Sequence, residues 1–194
     1  MLSPSPTLGI VRITPDQIAV VIDDALHEAR QLVEIAVAQR TDFQDSSRNA
    51  YPGPELRMPD AFTAGLNELF IRHARARLGA RRTLSCYSRL SIATRREAEL
   101  EPRQWICHRD RLDTDPANCV VASVLYLFDD PGLGGTSFFT PTRDAHATAV
   151  MIHESGALPG AQFAAKYGVV PGYPRANAWF ERTGLIAPKF NRLI

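Results

Sequence analysis

Between Cys119 and Phe128 the chain runs for ten residues with Ser123 as the one polar interruption, Cys-Val-Val-Ala-Ser-Val-Leu-Tyr-Leu-Phe. A run this long is too short to cross a bilayer, which takes about 20 residues, and too apolar for a solvated loop. Its β-branched and aromatic content predicts a buried strand. The turn formers Asp129-Asp130-Pro131-Gly132 and Gly134-Gly135 follow, then Thr136 to Thr140 as a further strand. Trp105 to Asp110 and Thr83 to Thr94 carry the same signals, so the middle of the chain is predicted to be mostly β.

Toward the ends the period changes. Ile18 to Ile22 reads as a strand, and Asp23-Asp24 behind it can cap a helix whose apolar stripe is Leu26, Ala29, Val33, Ala36 and Val37. Residues 41–59 lose that period, carry Pro52, Gly53, Pro54 and Pro59, and read as a loop. A second helix starts near Asp60, turns Phe62, Leu66, Leu69, Phe70 and Leu78 inward, and stops at Gly79. Residues 142–181 are helical or irregular, and Lys189 to Ile194 begins another strand. Met1 to Pro6 reads as a loose leader and not a secretory signal.

With 194 residues and no repeat, one domain is expected. Residues 1–79 form a buttress of one strand and two helices, and 80–140 supply the sheet strands. Residues 141–181 are a helical insert or lid, and 182–194 a late strand. The expected class is α+β, a small β-sandwich or jelly roll with N-terminal buttressing helices.

Charge and cysteine content narrow the setting. Lys and Arg total 22 against 21 acids, a formal charge of +1, in a chain that is 45% hydrophobic, which excludes a disordered or histone-like protein. The cytoplasm is the expected location. Cys86, Cys107 and Cys119 are odd in number without a C-x-x-C pair, so buried thiols are expected instead of disulfides or zinc. Arg72, Arg75, Arg77, Arg81, Arg82, Arg89, Arg95 and Arg96 form a basic cluster, which opens the alternative of an Arg-rich nucleic-acid or anion-binding module. Glu97, Glu99 and Glu101 follow at once, so a solvated face is the expectation and nucleic acid is not an expected partner.

The chemistry-bearing segment is Trp105-Ile106-Cys107-His108-Arg109-Asp110. On a strand, His108 and Asp110 share a face, as two ligands of a 2-His-1-carboxylate iron site would, while the adjacent Cys107 faces away and cannot pair with His108. A lone H-x-D arises by chance in roughly half of such chains, so its surroundings decide. A structural pair is the competing account of His108 and Asp110, and a core tyrosine that of Tyr126.

Those surroundings are the 119–128 strand ending in Tyr126-Leu127, the Gly134-Gly135 turn into Thr136-Ser137-Phe138-Phe139, and Phe190-Asn191-Arg192-Leu193-Ile194. Tyr51-Pro52-Gly53 and Trp179-Phe180-Glu181-Arg182 belong with them. The succession resembles the prolyl-hydroxylase-like branch of the iron(II)/2-oxoglutarate oxygenases, and is closest to an uncharacterised bacterial subfamily of it. The resemblance implies a double-stranded β-helix (jelly roll), with Fe(II) bound by His108 and Asp110 and 2-oxoglutarate as cosubstrate. It matches Tyr126 to a strand tyrosine that in some relatives binds the distal carboxylate of 2-oxoglutarate, with Tyr87 lining the same pocket. A small-molecule or amino-acid-like substrate is expected, selected by the Tyr51 to Pro59 loop and the 141–181 insert.

The family's distal His follows such an N-R-L strand by about a dozen residues, so the expectation is that the chain stops before it and, as it stands, turns over little. Two alternatives remain: a catalytically silent jelly-roll binding protein, or a ligand from His146 or His153, seven apart on one helix face.

Overall fold

The N-terminal hairpin follows from two runs rich in β-branched residues. β1 (Thr7–Thr14) and β2 (Gln17–Asp23) pair antiparallel, Leu8 opposite Ile22 and Ile10 opposite Val20, around the two-residue turn Pro15-Asp16. The structure is a computed structural model that describes residues 2–45, 51–108 and 120–194. It is mixed α and β: helices α1 (Ala29–Ala38), α2 (Asp60–His73), α3 (Pro102–Trp105), α4 (Ala145–Ser155) and α5 (Gly160–Tyr167) accompany several antiparallel sheets.

The largest sheet has the order β1-β2-β8-β5, where β5 is Leu125–Tyr126 and β8 is Arg192–Leu193. Leu193 lies opposite both Ile22 and Leu125, so these three share one face. That face is apolar: Val20, Ile22 and Leu193 are buried with Ala25, Leu69 and Ala74, under α2 and the turn that follows it. Next to it Leu26, Ala29, Leu32, Phe43, Met58 and Leu90 form a second cluster, which joins α1 to the short hairpin of β3 (Glu55–Arg57) and β4 (Arg89–Ser91). Asp23, Arg192 and Tyr126 alternate with the apolar three and therefore occupy the opposite face.

A third sheet pairs β6 (Thr136–Pro141) with β7 (Phe180–Ile186). Against it α3, α4 and α5 bury Trp105, Ile106, Met151, Phe163, Tyr167 and Phe180, with Met151 and Phe163 fully enclosed. Gly135 is what lets the two strands approach: a Cβ there would lie 2.0 Å from the Ile186 carbonyl oxygen. A Cβ on Gly53 would likewise run into the Ile92 carbonyl oxygen beside β4.

Several expectations are corrected. Trp105 ends a helical turn and does not open a strand, because Pro102 presets the first helical position and Glu101 and Gln104 form a capping box. The indole Nε1 of Trp105 then donates to the Leu100 carbonyl. Ile106, Cys107 and His108 follow in no strand. Of the expected 119–128 strand, Leu125–Tyr126 pairs, extended by reciprocal Val124–Ile194 backbone bonds, while Val120, Val121 and Val124 are exposed. Cys119 lies outside the described residues. Between Thr83 and Thr94, Arg89–Ser91 alone is strand. The 41–59 stretch is not all loop, since it contributes β3.

β1 is a strand the sequence reading passed over, and the leader is held by a backbone bond from Ser3 to Ala25 and a bridge from Leu2 to Leu26. Asp23 and Asp24 do not cap α1, which starts at Ala29 after Glu28. Val37 is 71% exposed, and Leu32 takes the buried place expected of it. Among the described residues the strands do not close into a barrel.

Candidate functional site

The polar face of the four-stranded sheet is where site residues and fold meet. Two opposed strands place Asp23 and Arg192 there, and the guanidinium grips the carboxylate with two bonds, Nε to Oδ1 at 2.6 Å and Nη2 to Oδ2 at 3.0 Å. Lys189 Nζ adds a third to Oδ2 at 3.0 Å. The bond from Arg192 outweighs burial and, with Lys189, holds the Asp23 carboxyl down to about 2. The same pairing raises Arg192 above the ordinary arginine range. Arg192 also donates to the Ala187 carbonyl, which ties β8 to the end of β7.

Asn191 sets this geometry. Its φ of 62° is a left-handed conformation that asparagine tolerates better than most residues. From there its backbone N–H donates to the Tyr126 carbonyl, and its side chain exchanges two bonds with the backbone of Leu26. The Phe190 N–H donates to Asp129 Oδ1, and Arg30 lies over the Phe190 ring. The Asn-Arg-Leu string is thus a register lock: Asn191 fixes the chain, Arg192 faces the polar side and Leu193 the core.

Tyr126 is 4% exposed and crosses from this face toward the third sheet, its hydroxyl sharing a 2.6 Å hydrogen bond with Thr136 on β6. Its ring meets Phe128 edge to face at 5.7 Å. Tyr126 is therefore both core and a polar contact between two sheets.

The other expected site residues are placed as follows. His108 is exposed, directly after Cys107, which packs against the cluster around Trp105 and Phe163. Asp110 lies outside the described residues. Tyr87 is 54% exposed ahead of β4, with Arg89 above its ring at 5.8 Å, and contributes to a surface and not to the Tyr126 contact. His146 and His153 are exposed on α4. Among the described residues, no three His, Cys, Asp or Glu side chains converge as a metal site.

Burial pushes the Cys107 thiol up to about 11, as expected of a buried thiol, whereas Cys86 is exposed, against expectation. Missed by the sequence reading were Asp23, whose partner is 169 positions away, and an open cleft of about 390 Å³ between Ile13, Asp16, Ile18, Arg77, Leu78 and Phe138. Neither has a local signal. No helix among the described residues is long and apolar enough to cross a membrane.

No curated protein and no solved structure matches the chain. A family model does, over residues 4–194, and the chain belongs to that family, DUF6445, a family of unknown function.

Proposed function

We propose that this chain is built on a jelly-roll scaffold of the iron(II)/2-oxoglutarate oxygenase type and acts in the cytoplasm on a small, amino-acid-like molecule. The observation that supports this most is Tyr126: a buried strand tyrosine whose hydroxyl points between two antiparallel sheets. It stands on β5, directly beside the Arg192–Leu193 strand. His108 and Asp110 are the two ligands this reading assigns to the chain's iron, completed by a second histidine. Iron with 2-oxoglutarate would supply the oxidant for an unactivated C–H bond.

The chain's own part is binding and exclusion of water. Tyr126 would hold the cosubstrate carboxylate through the hydroxyl that Thr136 engages here, and the Asp23–Arg192 pair ties β2 to β8. In this reading the segments 141–181 and Tyr51 to Pro59 select the substrate.

The test uses the native protein under anaerobic conditions: Fe(II) and 2-oxoglutarate are added and the charge-transfer absorbance is followed, with succinate release measured in air. A band that disappears in His108→Ala and weakens in Tyr126→Phe is expected. Absence of both band and succinate in the unaltered protein overturns the reading in favour of a silent jelly-roll binding protein.

A further inference from the structure

From Leu69 to Arg96 the chain has eight arginines and no acidic residue, in a protein whose overall charge is +1. The structure divides these arginines into two groups. Arg89 pairs with Glu55, Arg95 with Asp45 and Glu101, and Arg96 with Glu99. The acids that follow the cluster are engaged there and elsewhere: Glu97 holds Arg175 and Glu101 also holds Arg103. They do not neutralise the remaining five. Among the described residues Arg72, Arg75, Arg77, Arg81 and Arg82 have no carboxylate within 4.0 Å.

The fold draws these five together. Gly79, with φ +71°, reverses the chain after α2. The Ala80 N–H then donates to the Arg75 carbonyl, and the Thr83 hydroxyl donates to Asn67 Oδ1 at 2.7 Å. Residues 80–83 consequently run back along α2, and Arg81 and Arg82 lie beside the turn that carries Arg72 and Arg75. Arg77 is fixed by a bond to the His73 carbonyl. His73 registers the field: burial first, then Arg72 and Arg77, depress its pKa. Beyond Thr83 the same run presents Leu84 at 62% and Tyr87 at 54% exposure.

We propose that this strip binds the phosphate backbone of a single-stranded nucleic acid, with an unstacked base on Tyr87. Guanidinium groups suit phosphate oxygens because their paired N–H donors match them. Five cations spread from Arg72 to Arg82 suit an extended polyanion more than a small anion. An exposed aromatic on the same run, five residues beyond Arg82, combined with cations that have no carboxylate within 4.0 Å among the described residues, is the combination that single-strand binders use. This surface is independent of the oxygenase reading.

Fluorescence anisotropy of a labelled oligothymidylate tests it, read from about 50 to about 200 mM salt. Five phosphate contacts give log Kd against log salt a slope of about 3.5. The pair Arg81→Ala with Arg82→Ala lowers that slope by about 1.4 and weakens low-salt binding at least about tenfold. Both side chains are exposed, so the variant's thermal melt stays that of the parent. Arg81→Lys with Arg82→Lys keeps the slope, since it keeps the charge. Tyr87→Ala weakens binding about tenfold with the slope unchanged, because stacking releases no counterions. Three results overturn the proposal: no salt-dependent binding, no effect of Tyr87→Ala, or polyglutamate displacing the probe as well as unlabelled oligothymidylate, which would mark an acidic protein as the partner.

Discussion

The side chain of Asn191 replaces a strand partner for Leu26: its Oδ1 accepts from the Leu26 N–H at 3.0 Å and its Nδ2 donates to the Leu26 carbonyl at 2.7 Å. Both residues are buried. Asn191→Ala leaves two buried backbone groups unsatisfied and puts a less tolerant residue at a φ of 62°. The expected loss is about 3 kcal/mol in urea unfolding. Asn191→Asp keeps the acceptor alone and falls between the variant and the parent.

Acid should unlock the polar face through Asp23. Its folded pKa of about 2 is below the ordinary 3.8, so the pair's stabilisation is complete above about pH 4 and is lost as pH falls toward 2. The full shift corresponds to about 2 kcal/mol, and solvent screening brings it to about 1. Comparing the melting of the parent and Asp23→Asn across that window checks this: the difference between them should shrink as the pH falls. A difference that stays constant to pH 2 contradicts the assignment.

Gly135 and Gly132 lie in the same turn but differ in what surrounds them. A methyl group on Gly135 runs into the Ile186 backbone, so Gly135→Ala should part β6 from β7 and cost about 1–3 kcal/mol. On Gly132 the nearest atom is an Asp130 carboxylate oxygen at 3.0 Å, which can move aside. Gly132→Ala should change stability by less than about 0.5 kcal/mol. Chemical denaturation of the two variants separates these cases.

The two described cysteines should react in order. Cys86 is exposed, whereas Cys107 is half-buried with its thiol pushed up to about 11, so iodoacetamide at mildly alkaline pH should alkylate Cys86 well before Cys107. Peptide mass spectrometry over a time course reads this directly. Cys107 modified first would place it in a more open environment.

Local chemistry was legible and long-range partners were not. Ile18 to Ile22 and Thr136 to Thr140 announce strands by composition, whereas the helix expected to run to Gly79 ends at His73, and Gly79 with its positive φ closes the turn that follows. β1 had a signal as well, Leu8 and Ile10 alternating ahead of Pro15-Asp16. Trp105 misled because its apolar neighbours hide the Glu101-Pro102-x-Gln104 start of a helical turn. Asp23 reads as a cap in isolation and is a salt-bridge partner in the fold, because Arg192 is 169 positions distant. For the site, residue type alone marked His108, whereas Tyr126 could be singled out as a strand aromatic but not matched to Thr136.

The hydrogen bonds between Leu26 and Asn191 span 165 positions. Bringing such distant points together costs on the order of 4–5 kcal/mol of chain entropy before any contact across the seam forms. β8 contributes two residues to the ladder and still separates the N-terminal hairpin from β5. Folding of this sheet is therefore governed by a late, non-local encounter, and the chain should fold slowly for its size. Until Asn191 docks, the hairpin and β5 are separate pieces with open edges.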